Sequence, residues 1–144
     1  MRIQEILSGK GFDVVHAPPD SSVGELVALL REHNLGAVVV SPDGRHVAGI
    51  VSERDVVRHL GEEPDLLGRP VSAIMTAGPD VCSCAATDSV ASVMAVMTDR
   101  RVRHVPVLDR AETLVGIVSI GDLVKWQISQ LEFERDQLQD YVLG

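Results

Sequence analysis

The sequence predicts an α+β protein, an α/β roll, made of two βαββα repeats that share one core and end in an extended C-terminal helix. Three observations lead there. Residues 7–57 recur without a gap as residues 74–124, a shift of 67 positions that aligns fourteen identical residues. Among them are Gly11 with Gly78, Asp13-Val14 with Asp80-Val81, Ser22-Val23 with Ser89-Val90, Gly49-Ile50-Val51-Ser52 with Gly116-Ile117-Val118-Ser119, and Asp55 with Asp122. Self-similarity at fixed spacing marks duplication and places a shared core, with any site, at the junction of the copies. The length points the same way: 144 residues make one ordinary domain, whereas a repeat of roughly sixty residues buries only about 60% of its unfolded surface and is marginal alone. Finally, short β-branched runs and helical periods alternate in the same order in each half.

The elements follow in chain order. Val14-Val15 is a short extended run, Pro18-Pro19-Asp20 breaks the chain, and Ser22-x-x-Glu25 has the form of a capping box that opens a helix. Val23, Leu26, Val27 and Leu30 continue it at helical spacing, and Asn34 with Gly36 can terminate it. Ala37 to Val40 reads as a buried strand. Ser41-Pro42-Asp43-Gly44 matches type I turn preferences and joins it to a second strand, Val47 to Val51, as a hairpin. A helix from Glu53 to about Leu60 closes the first half. The second half repeats the plan with a strand at Val81, a helix from Val90 to Met97, strands Val105 to Leu108 and Leu114 to Val118 around the turn Asp109-Arg110-Ala111, and a helix from Ile120. That last helix continues through Trp126, Ile128, Leu131, Leu138 and Tyr141. The domain plan is therefore 1–62 for the first repeat, 63–70 for a linker, 71–128 for the second repeat and 129–144 for a helical extension.

Composition narrows the function. The chain is 45% hydrophobic but only 3% aromatic, so its core must be aliphatic. Apolar runs such as Ala37 to Val40 and Leu114 to Val118 are too short to cross a bilayer, and no basic stretch plus apolar run opens the chain; a cytoplasmic location is expected. A formal charge of −8 argues against general affinity for nucleic acid or anionic membrane. Cys82 and Cys84 are the only cysteines, and at i, i+2 in an extended segment they face one side, which disfavours a disulfide between them. The five histidines complete no zinc ligand set with them. No nucleophile and base stand at motif spacing and no glycine-rich phosphate loop is present, so catalysis is not expected.

Chemistry concentrates where the second strand of each repeat meets its helix. Ser52 and Ser119 put a hydroxyl and free backbone N–H groups at a helix N-terminus, an arrangement suited to phosphate. Asp55 and Asp122 follow three residues later. Ser-x-x-Asp also serves as a reciprocal helix cap, with the carboxylate favoured by the helix dipole, and both readings are open on these residues alone.

The motif G-h-h-S-x-x-D, present as Gly49 to Asp55 and as Gly116 to Asp122, resembles the cystathionine-β-synthase (CBS) domain. Ser52 to Arg58 (S-E-R-D-x-V-R), Val71 to Thr76, Arg100 to Val107 (R-R-V-R-H-V-P-V) and Ser119 to Lys125 resemble stand-alone bacterial CBS pairs, so the likeness spans nearly the whole chain. The resemblance implies a tandem pair packed about a pseudo-twofold axis, with two clefts for adenosine-type small molecules such as AMP, ATP or NAD. It also implies a regulatory role without a catalytic cofactor, signalling in trans to an effector protein, and a disc-like homodimer. In that family the repeated aspartate accepts both ribose hydroxyls, a task suited to an ionised carboxylate.

Carried over position by position, the resemblance implies one cleft from Asp13, Val15, Gly36 and Ala37 with Arg103, His104, Ile117, Ser119 and Asp122. The other would combine Asp80, Cys82, Arg103 and His104 with Ala37, Ile50, Ser52, Arg54 and Asp55. Small side chains at Gly36 and Ala37 leave room for a base against backbone amides, and Val15, Ile50 and Ile117 supply apolar walls. The first repeat has Gly36-Ala37 where the second has Arg103-His104, so the clefts need not bind alike.

Two further features stand out. Arg100, Arg101 and Arg103 with His104 form a dense basic cluster in an acidic chain, suited to forked phosphate contacts or, alternatively, to surface salt bridges. Val124, Leu131 and Leu138 stand seven residues apart with Ile128 between them, a stripe that either meets a partner subunit or folds back on its own domain. A second function is therefore open: a protein-interaction adaptor with vestigial clefts.

Overall fold

The computed structural model describes residues 1–143 and lays the duplication out as two small sheets with helices packed on them. Gly144, the last residue of the expected extension, lies outside the described residues. The first sheet has the order β1 (His16–Ala17), β2 (Ala37–Val40), β3 (Gly49–Ser52), β4 (Thr76–Ala77), and the second β5 (Cys84–Ala85), β6 (His104–Leu108), β7 (Leu114–Ser119). The helices are α1 (Ile3–Lys10), α2 (Val23–His33), α3 (Glu53–Leu60), α4 (Val90–Arg100) and α5 (Ile120–Leu143). In each repeat the first strand runs parallel to the second, which pairs antiparallel with the third.

The 67-residue shift survives in the hydrogen-bond register. Ala37 pairs with Ser52 as His104 pairs with Ser119, and Val40 pairs with Gly49 as Val107 pairs with Gly116. The helices α2 and α4 begin at equivalent residues. Ser22 accepts from the Glu25 N–H at 3.0 Å and Glu25 reaches back to the Ser22 N–H, so the expected capping box forms. Asn34 and its equivalent Arg101 both end their helices in the left-handed conformation, with φ of 53° and 56°. The predicted turn after β2 is tied by Ser41, whose buried hydroxyl accepts from the Gly44 N–H at 2.9 Å.

Two aliphatic cores result, and each is completed by a segment that precedes the other repeat. Residues 3–10, expected to open the first repeat, form α1 and bury Ile3, Ile6 and Leu7 among Val90, Val93, Met97, Val105, Val118 and Leu123 of the second core. Hydrogen bonds from the Ile3 N–H to the Asp88 carbonyl (3.0 Å) and from the Val90 N–H to the Met1 carbonyl (3.0 Å) hold it there. Reciprocally, residues 66–77 close on the first repeat. Leu66, Val71 and Ile74 are buried with Val23, Leu26, Val38 and Val51. The Val23 N–H donates to the Arg69 carbonyl at 2.8 Å, and β4 pairs with β3. The stretch 63–70, expected as a linker, therefore carries a fully buried side chain.

The repeated glycines make this exchange sterically possible. A Cβ on Gly49 would run into the Thr76 carbonyl and the Met75 sulfur, and one on Gly116 would meet Leu7 Cδ2 at 2.8 Å. Each glycine opens its strand to the segment arriving from the other half.

The first strands differ from expectation. Pairing occupies His16–Ala17 and Cys84–Ala85, whereas Val14-Val15 and Val81 precede the ladder. Val15 is still half-buried against the first core, so its apolar character reports packing, while the partner strand decides which residues pair. The last helix runs to Leu143 as expected, but Leu123 is its only buried residue. Trp126 leans on the second core. Val124, Ile128, Leu131, Phe133, Leu138 and Tyr141 are exposed, so the stripe does not fold back on its own domain.

Candidate functional site

Both strand-to-helix junctions form the reciprocal cap. At the first, Ser52 Oγ accepts from the Asp55 N–H at 3.3 Å, while Asp55 Oδ2 accepts from the Ser52 N–H at 2.8 Å and from its hydroxyl at 3.0 Å. At the second, Ser119 Oγ accepts from the Asp122 N–H at 3.1 Å and Asp122 Oδ2 accepts from the Ser119 N–H at 2.8 Å. The capping reading of these residues is thus correct as local structure. It does not use up the carboxylates: among the described residues neither Oδ1 has a hydrogen-bond partner, and an ionised carboxylate offers about four acceptor positions. The cap also holds each carboxylate in one orientation.

Around Asp122 the exchanged segment matters. Lys10, the last residue of α1, donates from Nζ to Asp122 Oδ2 at 2.5 Å and to the Ile117 carbonyl at 2.9 Å. Gly36 of the first repeat lies under the His104 ring, whose Cε1 would stand 3.2 Å from a Cβ at that position, and Glu53 Oε1 lies 3.6 Å from the same point. The Glu53 N–H donates to the Gly36 carbonyl (2.9 Å) as the Ile120 N–H donates to the Arg103 carbonyl (2.8 Å). Gly36, His104, Ile117, Ser119 and Asp122 are thereby brought together, with Lys10 and Glu53 added. Asp13 is exposed three residues beyond Lys10, and Val15 turns to the first core.

Around Asp55 the grouping is looser. Ala37 and Ser52 are register partners, Ile50 pairs with Thr76 of β4, and Asp80 follows β4 by three residues on an exposed turn. Cys82 packs partly on the second core. Arg54 and Arg103 are exposed, and neither they nor Arg100 and Arg101 make an ion pair among the described residues. The salt-bridge alternative for the basic cluster is therefore not what the fold uses.

The electrostatics follow the geometry. Burial pushes the Asp122 carboxyl up, but the Lys10 hydrogen bond and the Ser119 N–H outweigh it, and the group sits below the usual aspartate value. Burial, then the Lys10 charge, lowers His104 against the opposing pull of Asp122 and Glu53. Burial, helped by Asp88 and Cys82, pushes the Cys84 thiol up to about 12, which leaves it a packing group. No cluster of three His, Cys, Asp or Glu among the described residues is arranged to hold a metal ion. No described helix is long and apolar enough to cross a membrane.

Two concavities lie elsewhere. One, about 490 Å³, opens where His46 and Val47 of the first hairpin face Gly78, Val81, Leu108 and Glu112. The other, about 730 Å³, is an open groove along α5 lined by Leu131, Arg135, Leu138 and Val142. Neither contains Asp55 or Asp122.

Sequence reasoning missed Lys10 and Glu53. The spacing of Ile3, Ile6, Leu7 and Lys10 (i, i+3, i+4, i+7) is itself a helical signal that would have placed Lys10 at a helix end.

A duplicated α+β module with a paired, helix-capped carboxylate on each side of the repeat junction defines the class. The chain belongs to the CBS-domain family, whose model matches residues 6–62 and 71–129. A solved CBS-domain containing protein from Agrobacterium tumefaciens is 39% identical, with a TM-score of 0.81 over 88% of this chain and 99% of that one. A mitochondrial CBS domain-containing protein of Arabidopsis thaliana is 30% identical across 99% of this chain and 72% of its own length. A CBS domain protein from Pyrobaculum aerophilum, solved in complex with AMP, is 26% identical with a TM-score of 0.74, covering 85% and 89% of the two chains.

Proposed function

We propose that the protein is a regulatory module that binds an adenosine-containing ligand such as AMP, ATP or NAD between its repeats and signals in trans to an effector protein. Asp55 and Asp122 accept ribose hydroxyls, each carboxylate being fixed by its helix cap with Oδ1 left open. Gly36, Ala37, Ile50 and Ile117 line the base positions, and Val15 and Cys82, half-buried on the two cores, bound them only through the surface they leave exposed. Ser52, Ser119, Arg54, Arg103 and His104 face the phosphate, and Asp13 and Asp80 flank the clefts. The observation that carries this reading is the duplicated capped carboxylate at the repeat junction, supported by the AMP complex of the Pyrobaculum relative.

The same reading places the protein in the cytoplasm as a homodimer, with the exposed apolar stripe of α5 at the subunit contact. That stripe also supports a second reading, an adaptor whose clefts no longer bind. Thermal unfolding against AMP, ADP, ATP, NAD and S-adenosylmethionine separates the two. A ligand at about 100 times its Kd adds roughly 2.7 kcal/mol per site, a shift of several degrees in Tm. Asp55→Ala and Asp122→Ala are each expected to remove one site's share of that shift. Shifts unchanged in both variants reject the site assignment, and no shift with any ligand favours the adaptor.

A further inference from the structure

The two Ser–Asp caps repeat each other closely, but only one of them receives a cation. By the 67-residue shift, position 10 is equivalent to position 77. The first is Lys10, on Asp122; the second is Ala77, in β4, with no side chain to extend toward Asp55. Among the described residues no cation pairs with Asp55. Gly121 likewise stands where Arg54 stands in the first repeat, so the helix of Asp122 brings no cation at that position, and Lys10 adds one from the N-terminal segment to the Arg103 beside His104.

Lys10 is anchored at its base, while its tip, bonded at Asp122 and Ile117, sits on a flexible stem. Ile3 and Leu7 fix α1 in the second core, and Gly11, with φ of 108°, turns the chain away just after it. Its four-carbon stem leaves the ammonium movable by bond rotation. The ammonium has three donors, of which two are used, on Asp122 Oδ2 and the Ile117 carbonyl. The third has no acceptor among the described residues. A neutral nucleoside binding at the open Oδ1 meets a carboxylate whose charge Lys10 already offsets from Oδ2, and it brings the ammonium no anionic acceptor. A ligand carrying a phosphate offers it an anionic acceptor, and charge-assisted bonds of that kind are about twice as strong as neutral ones.

Resting on the assignment of Asp122 as the ribose-accepting carboxylate, we propose that Lys10 is the built-in counter-ion of that cleft and makes it select phosphorylated nucleosides over neutral ones. The test uses the full chain carrying Asp55→Ala, in which only the Asp122 cleft remains, titrated calorimetrically with AMP and with adenosine at matched ionic strength. Adding Lys10→Met is expected to reduce the AMP-over-adenosine preference by about tenfold, partly through tighter adenosine binding. Lys10→Arg is expected to retain the preference. Lys10→Gln repeats the comparison should the Met variant fold poorly, with thermal unfolding as the control. A preference unchanged within about twofold in the Met or Gln variant overturns the proposal and leaves the ribose assignment standing. Absence of binding by either compound to the Asp55→Ala chain overturns both.

Discussion

Asp55 and Asp122 cap equivalent helices from equivalent strands, yet Asp55 is bonded only within its own junction while Asp122 also holds a lysine from the far end of the chain. The difference arises outside the repeat. Strand register, caps and glycines are common to both halves, but the segments that cross between them are a helix on one side (α1) and a short strand on the other (β4). Duplication reproduces the scaffold and leaves the crossing segments to make the junctions unequal.

The largest expected effects test the crossing itself. Leu7 and its equivalent Ile74 are each buried in the core completed by the exchange. Leu7→Ala and Ile74→Ala should each cost about 2–5 kcal/mol in urea unfolding. A cost below about 1 kcal/mol at Leu7 would mean that α1 contributes little to the second core, and the comparison would fail there.

The glycines give an intermediate effect and a sharper contrast. At Gly49 an added methyl meets backbone, the Thr76 carbonyl, whereas at Gly116 it meets the tip of the Leu7 side chain, which can rotate away. Gly49→Ala should therefore destabilise by about 1–3 kcal/mol and Gly116→Ala by less. Equal losses would show that α1 is held as rigidly as β4. Thermal melts of the two variants decide it.

The smallest effect is on pH. His104 is held below the ordinary histidine value in the fold, by burial and then by Lys10. The unfolded chain therefore takes up this proton more readily, and the stability linked to neutral His104 is present above about pH 6.5 and lost as pH falls below it. Asp122 is also depressed, so its contribution is present above about pH 4 and disappears at lower pH, as it protonates in the fold. His104→Gln is expected to reduce the fall in Tm between pH 7.5 and 5.5 by no more than about 4 °C, while Asp122→Asn changes the profile only in the acid range. An unaltered profile in the His104 variant would remove His104 from the junction's electrostatics.

Much of the scaffold was legible because its signals are local or periodic. Ser22 with Glu25, and each Ser with its Asp three residues on, lie within one helical turn of each other. Val23, Leu26 and Leu30 mark one buried helix face, and Ala37 to Val40 reads as a strand whichever neighbour it has. The first strands were displaced by a few residues because Val14 and Val15 report burial, while pairing depends on Val39 and Val40. The helix α1 escaped because its apolar face has no mate within its own repeat, and the burial of Leu66, between the two repeats, has no local signal for the same reason.

By itself the sequence determined the duplication, the order of strands and helices within each βαββα repeat, and the two caps that orient Asp55 and Asp122, since each depends on residues a few positions apart or on a repeated period. Only the tertiary structure decided that the segment before each repeat completes the opposite core. It also decided that Lys10 reaches an aspartate 112 residues away. Such contacts depend on which unlike surfaces fit once both sheets exist, and no local spacing encodes that fit.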